Sequence, residues 1–425
     1  MKKKKIIATI IIIVAVGLLV AGGILLFQNY SNKSRIITSF EELKTGLTDT
    51  FSLNQESTNT TIKQTVQGST TFNINPMFGN SSDGSDIIIN NLNNSSFNYN
   101  YIIDTDSKRM YLDGSLLFNG SELLGLNYYQ AEEISYILLR NIFDKYLTVE
   151  DTDIFSYLEE SKKLSDDINY VYDKIIDSLG KNITESDIKV TNEDGKKKIS
   201  LELNNQRLTE ITENIINDLK SDSKVKEIFG NELDNITLST NTSNNNALIS
   251  YSIYLEKNAI TSYEFRIKDN EADYAFTFNN GSDKSIVMEQ GNEEIIRADI
   301  ENNNNTITVN LSISNTNIGN IIISENNISL NIVDETSGTS LNATLTANTT
   351  SNTTNTTFNL SIANSGTSYD LISINDTQTI ISNEADFSNI NTTNNVNIND
   401  LTDEEITTIQ NNLAIILYRF MGYSI

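Results

Sequence analysis

In four segments after residue 306, apolar side chains fall on every second position. They are Ile307, Val309, Leu311 and Ile313, then Ile328, Leu330 and Ile332, then Leu341, Ala343, Leu345 and Ala347, then Phe358, Leu360 and Ile362. The positions between them are Thr, Asn and Ser. A helix would scatter this pattern round its circumference, whereas a strand sends it all to one face. The long stretch from 234 to about 390 is therefore expected to be an antiparallel sheet with one apolar and one wet face. Its segments recur every 10–14 residues without a shared motif, which makes a meander and not a defined repeat.

The other strong pattern lies at the N-terminus. Residues 6–27 form an uncharged apolar run of 22 residues, preceded by Lys2, Lys3, Lys4 and Lys5. As a helix it would span about 33 Å, enough for a hydrocarbon core of about 30 Å. The positive flank is expected to stay in the cytoplasm, with the C-terminal body extracellular. A cleaved signal peptide has a shorter apolar region and a small-x-small site. Here Gln28-Asn29-Tyr30 follows, so the run reads as an uncleaved single-pass anchor in a cell membrane. After it come 26 basic against 56 acidic residues. A body this acidic repels nucleic acid and anionic headgroups.

Residues 34–51 space Ile36, Phe40, Leu43 and Leu47 as a helix does. Residues 75–95 read as a loop with a short strand at Ile87–Ile89. Residues 96–150 read as a meander in which Asp113-Gly114 and Asn119-Gly120 are turn signals. Residues 134–147 suit either helix or strand, and their aromatic and β-branched content favours strand. Helices are expected over 152–180, with Ser165 as an N-cap and Gly180 as a stop, and over about 206–219. Asn192–Gly195 turns a hairpin between them. At the C-terminus, Thr402 and Glu405 have capping-box spacing, ahead of a stripe of Ile406, Ile409, Leu413, Ile416, Leu417 and Phe420. This last helix is expected to cover the apolar face of the long meander.

The chain thus divides into a cytoplasmic tail (1–5), a transmembrane helix (6–27), a juxtamembrane helix and linker (28–51), a first sheet-plus-helix half (52–230) and a second meander half (231–425). The expected fold class is α+β: an N-terminal transmembrane helix followed by antiparallel β-meander sheets, each covered on one face by amphipathic helices.

The chain has no His and no Cys. That removes histidine general bases, imidazole and thiolate metal ligands, thiol nucleophiles and disulfides. Asp104–Lys108 opens like a calcium loop, but Lys108, Arg109 and Ser115 occupy the fifth, sixth and twelfth positions, so it reads as a hairpin tip. Asp83–Asp86 reads as a loop, Ser161-Lys162-Lys163 as an exposed helix end and Lys196–Lys198 as a solvated hairpin arm. No phosphate-binding glycine motif occurs. No catalytic, cofactor-binding or metal-ligating residue is assigned, no cofactor is expected, and the chain is read as no enzyme. Its many Asn-x-Ser/Thr stretches, with the Asn and Ile bias, read as incidental to AT-rich bacterial coding.

The lysines, the span, the juxtamembrane helix, the Tyr-rich meander and the helix–hairpin–helix segment IKV…KKKISLELNNQRLTEITENIINDL resemble membrane-anchored surface proteins of low-GC Gram-positive bacteria. The sheet-plus-helix outline is similar to LolA/LppX-type lipid carriers. The function expected is a surface interaction or envelope-structural module, with a carrier or sensor of a lipid-like apolar ligand as the alternative. The expected partners are the bilayer, through residues 6–27, and an envelope protein or apolar ligand, with no nucleic acid.

Overall fold

The computed structural model describes residues 32–51, 61–76, 85–131, 133–150, 154–230, 233, 248–269, 273–291, 293–303, 305–364 and 366–421. The transmembrane span expected at 6–27 and the Asp83-Gly84 pair lie outside them. Among the described residues no helix is long and apolar enough to cross a membrane.

Helix α1 (Asn32–Phe51) comes first, then strand β1 (Lys63–Ile74) and helix α2 (Ser85–Asn93). Five strands follow: β2 (Ser95–Asp104), β3 (Arg109–Phe118), β4 (Ser121–Ala131), β5 (Ile134–Arg140) and β6 (Tyr146–Glu150). Helix α3 (Ile154–Asn182) leads to the hairpin β7 (Ile188–Glu193) and β8 (Lys196–Asn204), then to α4 (Asn205–Ser221) and α5 (Ser223–Phe229). The next strands are β9 (Leu248–Glu256), β10 (Ala259–Lys268), β11 (Asp273–Asn280), β12 (Lys284–Gln290), β13 (Glu293–Asn303), β14 (Thr306–Ile313) and β15 (Thr316–Ser324). They are followed by β16 (Asn327–Asp334), β17 (Thr339–Thr350), β18 (Thr353–Asn364), β19 (Thr367–Ser382) and β20 (Asn395–Asn397), and the chain closes with α6 (Asp403–Phe420).

The chain forms two compact units, each built from two separate stretches. The first holds residues 1–54 and 161–320, the second 55–160 and 321–425. The boundary expected near Gly230 therefore falls inside the first unit, where Gly230 caps α5.

In the first unit, β7 to β14 pair antiparallel in chain order. Helices lie over one end of the apolar face. Ile36, Phe40 and Leu43 of α1, Tyr172 and Ile176 of α3 and Ile211 and Ile215 of α4 bury against Ile199, Leu201, Tyr251, Ile253 and Tyr263. The Phe40 and Tyr251 rings stack with centroids 4.1 Å apart, and Ser39 Oγ lies 3.0 Å from the Tyr251 hydroxyl. The helix expected as a juxtamembrane linker thus contributes to a core. Farther along the same face, Phe276, Met288, Ile296 and Ile313 stand in register. Phe276, Ile296 and Ile313 are 44–45% exposed there.

In the second unit the pairing runs β16-β17-β18-β19-β1-β2-β3-β4-β5-β6, antiparallel throughout, with β20 added parallel to β6. Its core gathers Leu123, Ile142, Phe143 and Leu147 under Ile416 of α6, with Ile409 and Phe420 packed alongside.

Two expectations are corrected here. The twenty strands belong to one sheet and not to two sheets each under its own helices. Helices lie over only part of it. The C-terminal helix does not cover the long meander; its partners are Leu116, Leu124, Ile137 and Leu139 of β3 to β5. The physical reason is that period-two alternation requires an apolar face without requiring a cover for it. Medium-sized Ile, Leu and Ala side chains packed across strands shield one another in part.

Smaller corrections have similarly local causes. Ile87–Ile89 lies in helix α2 and not in a strand, and α3 runs through both Ser165 and Gly180. Asp113-Gly114 lies within β3 and is not a turn. Residues 134–140 are strand, as their composition favours. Asn119-Gly120 does turn the β3–β4 hairpin, with φ of 50° and 78°, values that asparagine and glycine tolerate best.

Candidate functional site

Among the described residues, the acidic and basic side chains picked from the sequence are engaged in hairpin-tip bonds and ion pairs. Asp104 sits at the β2–β3 hairpin tip. It accepts backbone bonds from Asp106 and Ser107 (3.1 and 3.4 Å) and pairs with Lys63 at 3.2 Å. Burial raises its pKa, but these hydrogen bonds outweigh that and hold it below the usual carboxylate value. Ser161, Lys162 and Lys163 lie within α3 and not at a helix end. Lys196 pairs with Glu256. Lys198 is mostly buried and lies 3.2 Å from both Glu193 and Glu264, over the Tyr254 ring. Burial pushes the Tyr254 phenol up to about 12. Among the described residues no group of three acidic side chains is placed to hold a metal.

Two surfaces of the second unit stand out, on opposite faces of the same strands. The first is apolar. Register sets Ile328, Leu345, Phe358, Ile374 and Phe72 in one row across β16, β17, β18, β19 and β1. A second row holds Leu330, Ala343, Leu360, Ile372 and Ile74, and a third holds Ile332, Leu341 and Ile362. Ile328, Ile332, Leu341 and Leu345 are 37–47% exposed. The face changes character toward β2. Tyr99 donates to both carboxylate oxygens of Asp376 (2.8 and 3.0 Å), and Thr70 and Gln378 donate to the same group. Burial, and then the bond to Asp376, raises the Tyr99 phenol.

The opposite face is neutral and polar. Thr346, Thr357, Asn375, Thr71 and Ser96 form one cross-strand row. Asn348, Asn355, Thr377, Ser69, Asn98 and Ser115 form the next, and Thr350, Thr353, Thr379, Gln67, Asn100 and Asp113 the third. Many of these side chains are bonded to one another. Thr353 and Thr379 are 3.0 Å apart, Thr377 donates to Asn355 (2.8 Å) and Ser69 to Asn98 (2.7 Å). A depression of about 540 Å³ opens on this face over β19, β1, β2 and β3.

The polar face ends in a charged knot. The Arg140 guanidinium donates to Asp113 (2.5 Å), Asn127 (2.6 Å), Ser115 (2.8 Å) and Glu122 (3.1 Å). Arg140, followed by Ser115, holds the Glu122 carboxyl below the usual range. Burial, and then Asp113, raises the Tyr111 and Tyr146 phenols. Two acids and one base so closely paired hold each other in place and leave no poised acid or nucleophile. A second depression, about 770 Å³, lies between the β5–β6 turn and the start of α6, where Lys145 and Glu405 pair at 2.6 Å.

Sequence reasoning anticipated the composition of these faces but not their assembly. β1 and β2 join β17, β18 and β19 although roughly 300 residues intervene; Thr70 and Asp376, which share a hydrogen bond, are 306 positions apart. No protein-family model matches this chain, and no curated protein does.

Proposed function

We propose that the chain is a non-catalytic, membrane-anchored surface module that acts by binding an envelope protein. Residues 6–27 serve as the anchor, with the body outside the cell. One observation carries the binding role: the half-exposed apolar rows on β16 and β17. Contiguous exposed apolar surface is rare on monomers and marks interaction sites. Ile328, Ile332, Leu341 and Leu345 are already half buried, so a partner that covers them fully gains about 1 kcal/mol from each. The absence of His and Cys, and the mutual neutralisation around Arg140, support a role without chemistry.

The same rows would suit a lipid-like ligand, and one experiment separates the two readings. The chain has no cysteine, so Leu345→Cys carries a photocrosslinker at a unique site. On intact cells the expected product is one discrete protein adduct. A lipid adduct would replace the proposal with the carrier reading. Full labelling with neither adduct would remove both.

A further inference from the structure

The geometry points to a binding site for a neutral carbohydrate on the polar face of the second unit, in the depression over β19, β1, β2 and β3. Its lining includes Gln67, Ser69, Asn98, Asn100, Thr377 and Thr379, with Asp113 at one end. Every one of the first six carries a hydroxyl or an amide, groups that both donate and accept. The bonds among them leave capacity. Ser69 Oγ donates to Asn98 Oδ1, and a hydroxyl that donates once keeps two acceptor lone pairs while the Asn amide keeps two donors. The Asn100 amide oxygen is buried beneath this surface without a hydrogen-bond partner.

The chemistry selects the ligand. Residues 298–418 hold no Lys or Arg, and Arg140 beside the depression is engaged by Asp113 and Glu122. A polyanion would find no uncommitted cation on this lining. Protein hot spots centre on buried aromatic and Arg anchors. Here the apolar and aromatic lining is limited to Ile381, 56% exposed, and Tyr99, whose hydroxyl is already held by Asp376. A neutral sugar presents hydroxyls that donate and accept, together with a C–H face that Ile381 would meet. The same polar rows continue onto β17 and β18 with a spacing of about 4.8 Å between strands, so a chain of sugars would find repeated chemistry beyond the depression. This site and the apolar rows lie on opposite faces, so either can fail without the other.

The test is retention of the full-length chain, held in a polyoxyethylene detergent, on insoluble chitin and cellulose, with heparin beads as the anionic control. Retention on at least one neutral polymer and none on heparin is expected. Thr377→Tyr, a bulky change at an exposed strand position, fills the depression and is expected to cut retention at least tenfold without moving the melting temperature. Asn98→Ala is expected to cut it severalfold and serves if Thr377→Tyr fails to fold. Glu213→Ala, an exposed change on α4 of the first unit, is expected to leave it unchanged. No retention on either neutral polymer, equal retention on heparin, or insensitivity to the depression variants overturns the site.

Discussion

Glycine and aromatic residues fit together on this sheet one pair at a time. A Cβ at Gly68 would lie 2.3 Å from the Tyr99 ring, and one at Gly114 would lie 2.5 Å from the Phe97 ring. The rings lie over the neighbouring glycines, a known device for making up the packing that glycine lacks in a strand. Gly68→Ala is therefore expected to destabilise the protein by roughly 1–3 kcal/mol through overpacking. Paired with Tyr99→Ala, it should cost clearly less than the sum of the two single changes in denaturant unfolding. At Glu405 the relevant variable is pH. Its bond to Lys145, then the Thr402 backbone amide, lowers its pKa from 4.5 to about 2. A depressed carboxyl contributes stability above its unfolded pKa and loses it as pH falls through the folded value. The melting temperature of the native chain should thus fall toward that of Glu405→Gln between pH 4.5 and 2, while the gap stays constant above that window. A constant gap down to pH 2 would rule out the linkage.

Helix α6 shows which part of a sequence pattern reaches a partner. Its capping box forms as the spacing predicts, with Thr402 and Glu405 each bonding the other's backbone amide. Its stripe, however, is wider than its contact. Ile416 is 8% exposed against β3 to β5, whereas Leu417, next in sequence, is 50% exposed. Ile416→Ala should cost about 2–5 kcal/mol by leaving a cavity. Leu417→Ala should stay within about 0.5 kcal/mol. Equal losses in thermal unfolding would contradict this packing. Strand identity was legible because alternation speaks directly of faces. Coverage was not, because Ile328 and Ile307 look alike in sequence, yet one is exposed and the other buried. Gly114 and Gly120 likewise share an acid- or amide-Gly signal; one lies beneath a ring and the other turns a hairpin. The neutral polar face was visible as a stretch without cations. Its union with Gln67, Ser69 and Asn98 depends on strand pairing across about 300 residues, which no local pattern encodes.

For the whole molecule, orientation is the property to test first. If Lys2–Lys5 hold the N-terminus inside, Ser351→Cys on an otherwise cysteine-free chain should react with a membrane-impermeant maleimide on intact cells. Reaction only after lysis would reverse the topology. The interleaving of the two units has a consequence of its own, for the order in which the molecule is completed. The first unit has all its residues once Asn320 has been made. The second unit begins earlier, at Gln55, but waits for residues up to Ile425. Until β19 arrives, β1 is paired with β2 on one side only, and its other edge lies open. At 5–20 residues per second, the 306 positions from Thr70 to Asp376 take roughly 15–60 s to synthesise. An open strand edge is a template for any other chain within reach. With the body outside the cell as proposed, that edge meets neighbouring chains as it emerges there, and the interval before β19 arrives is when mispairing has its opportunity.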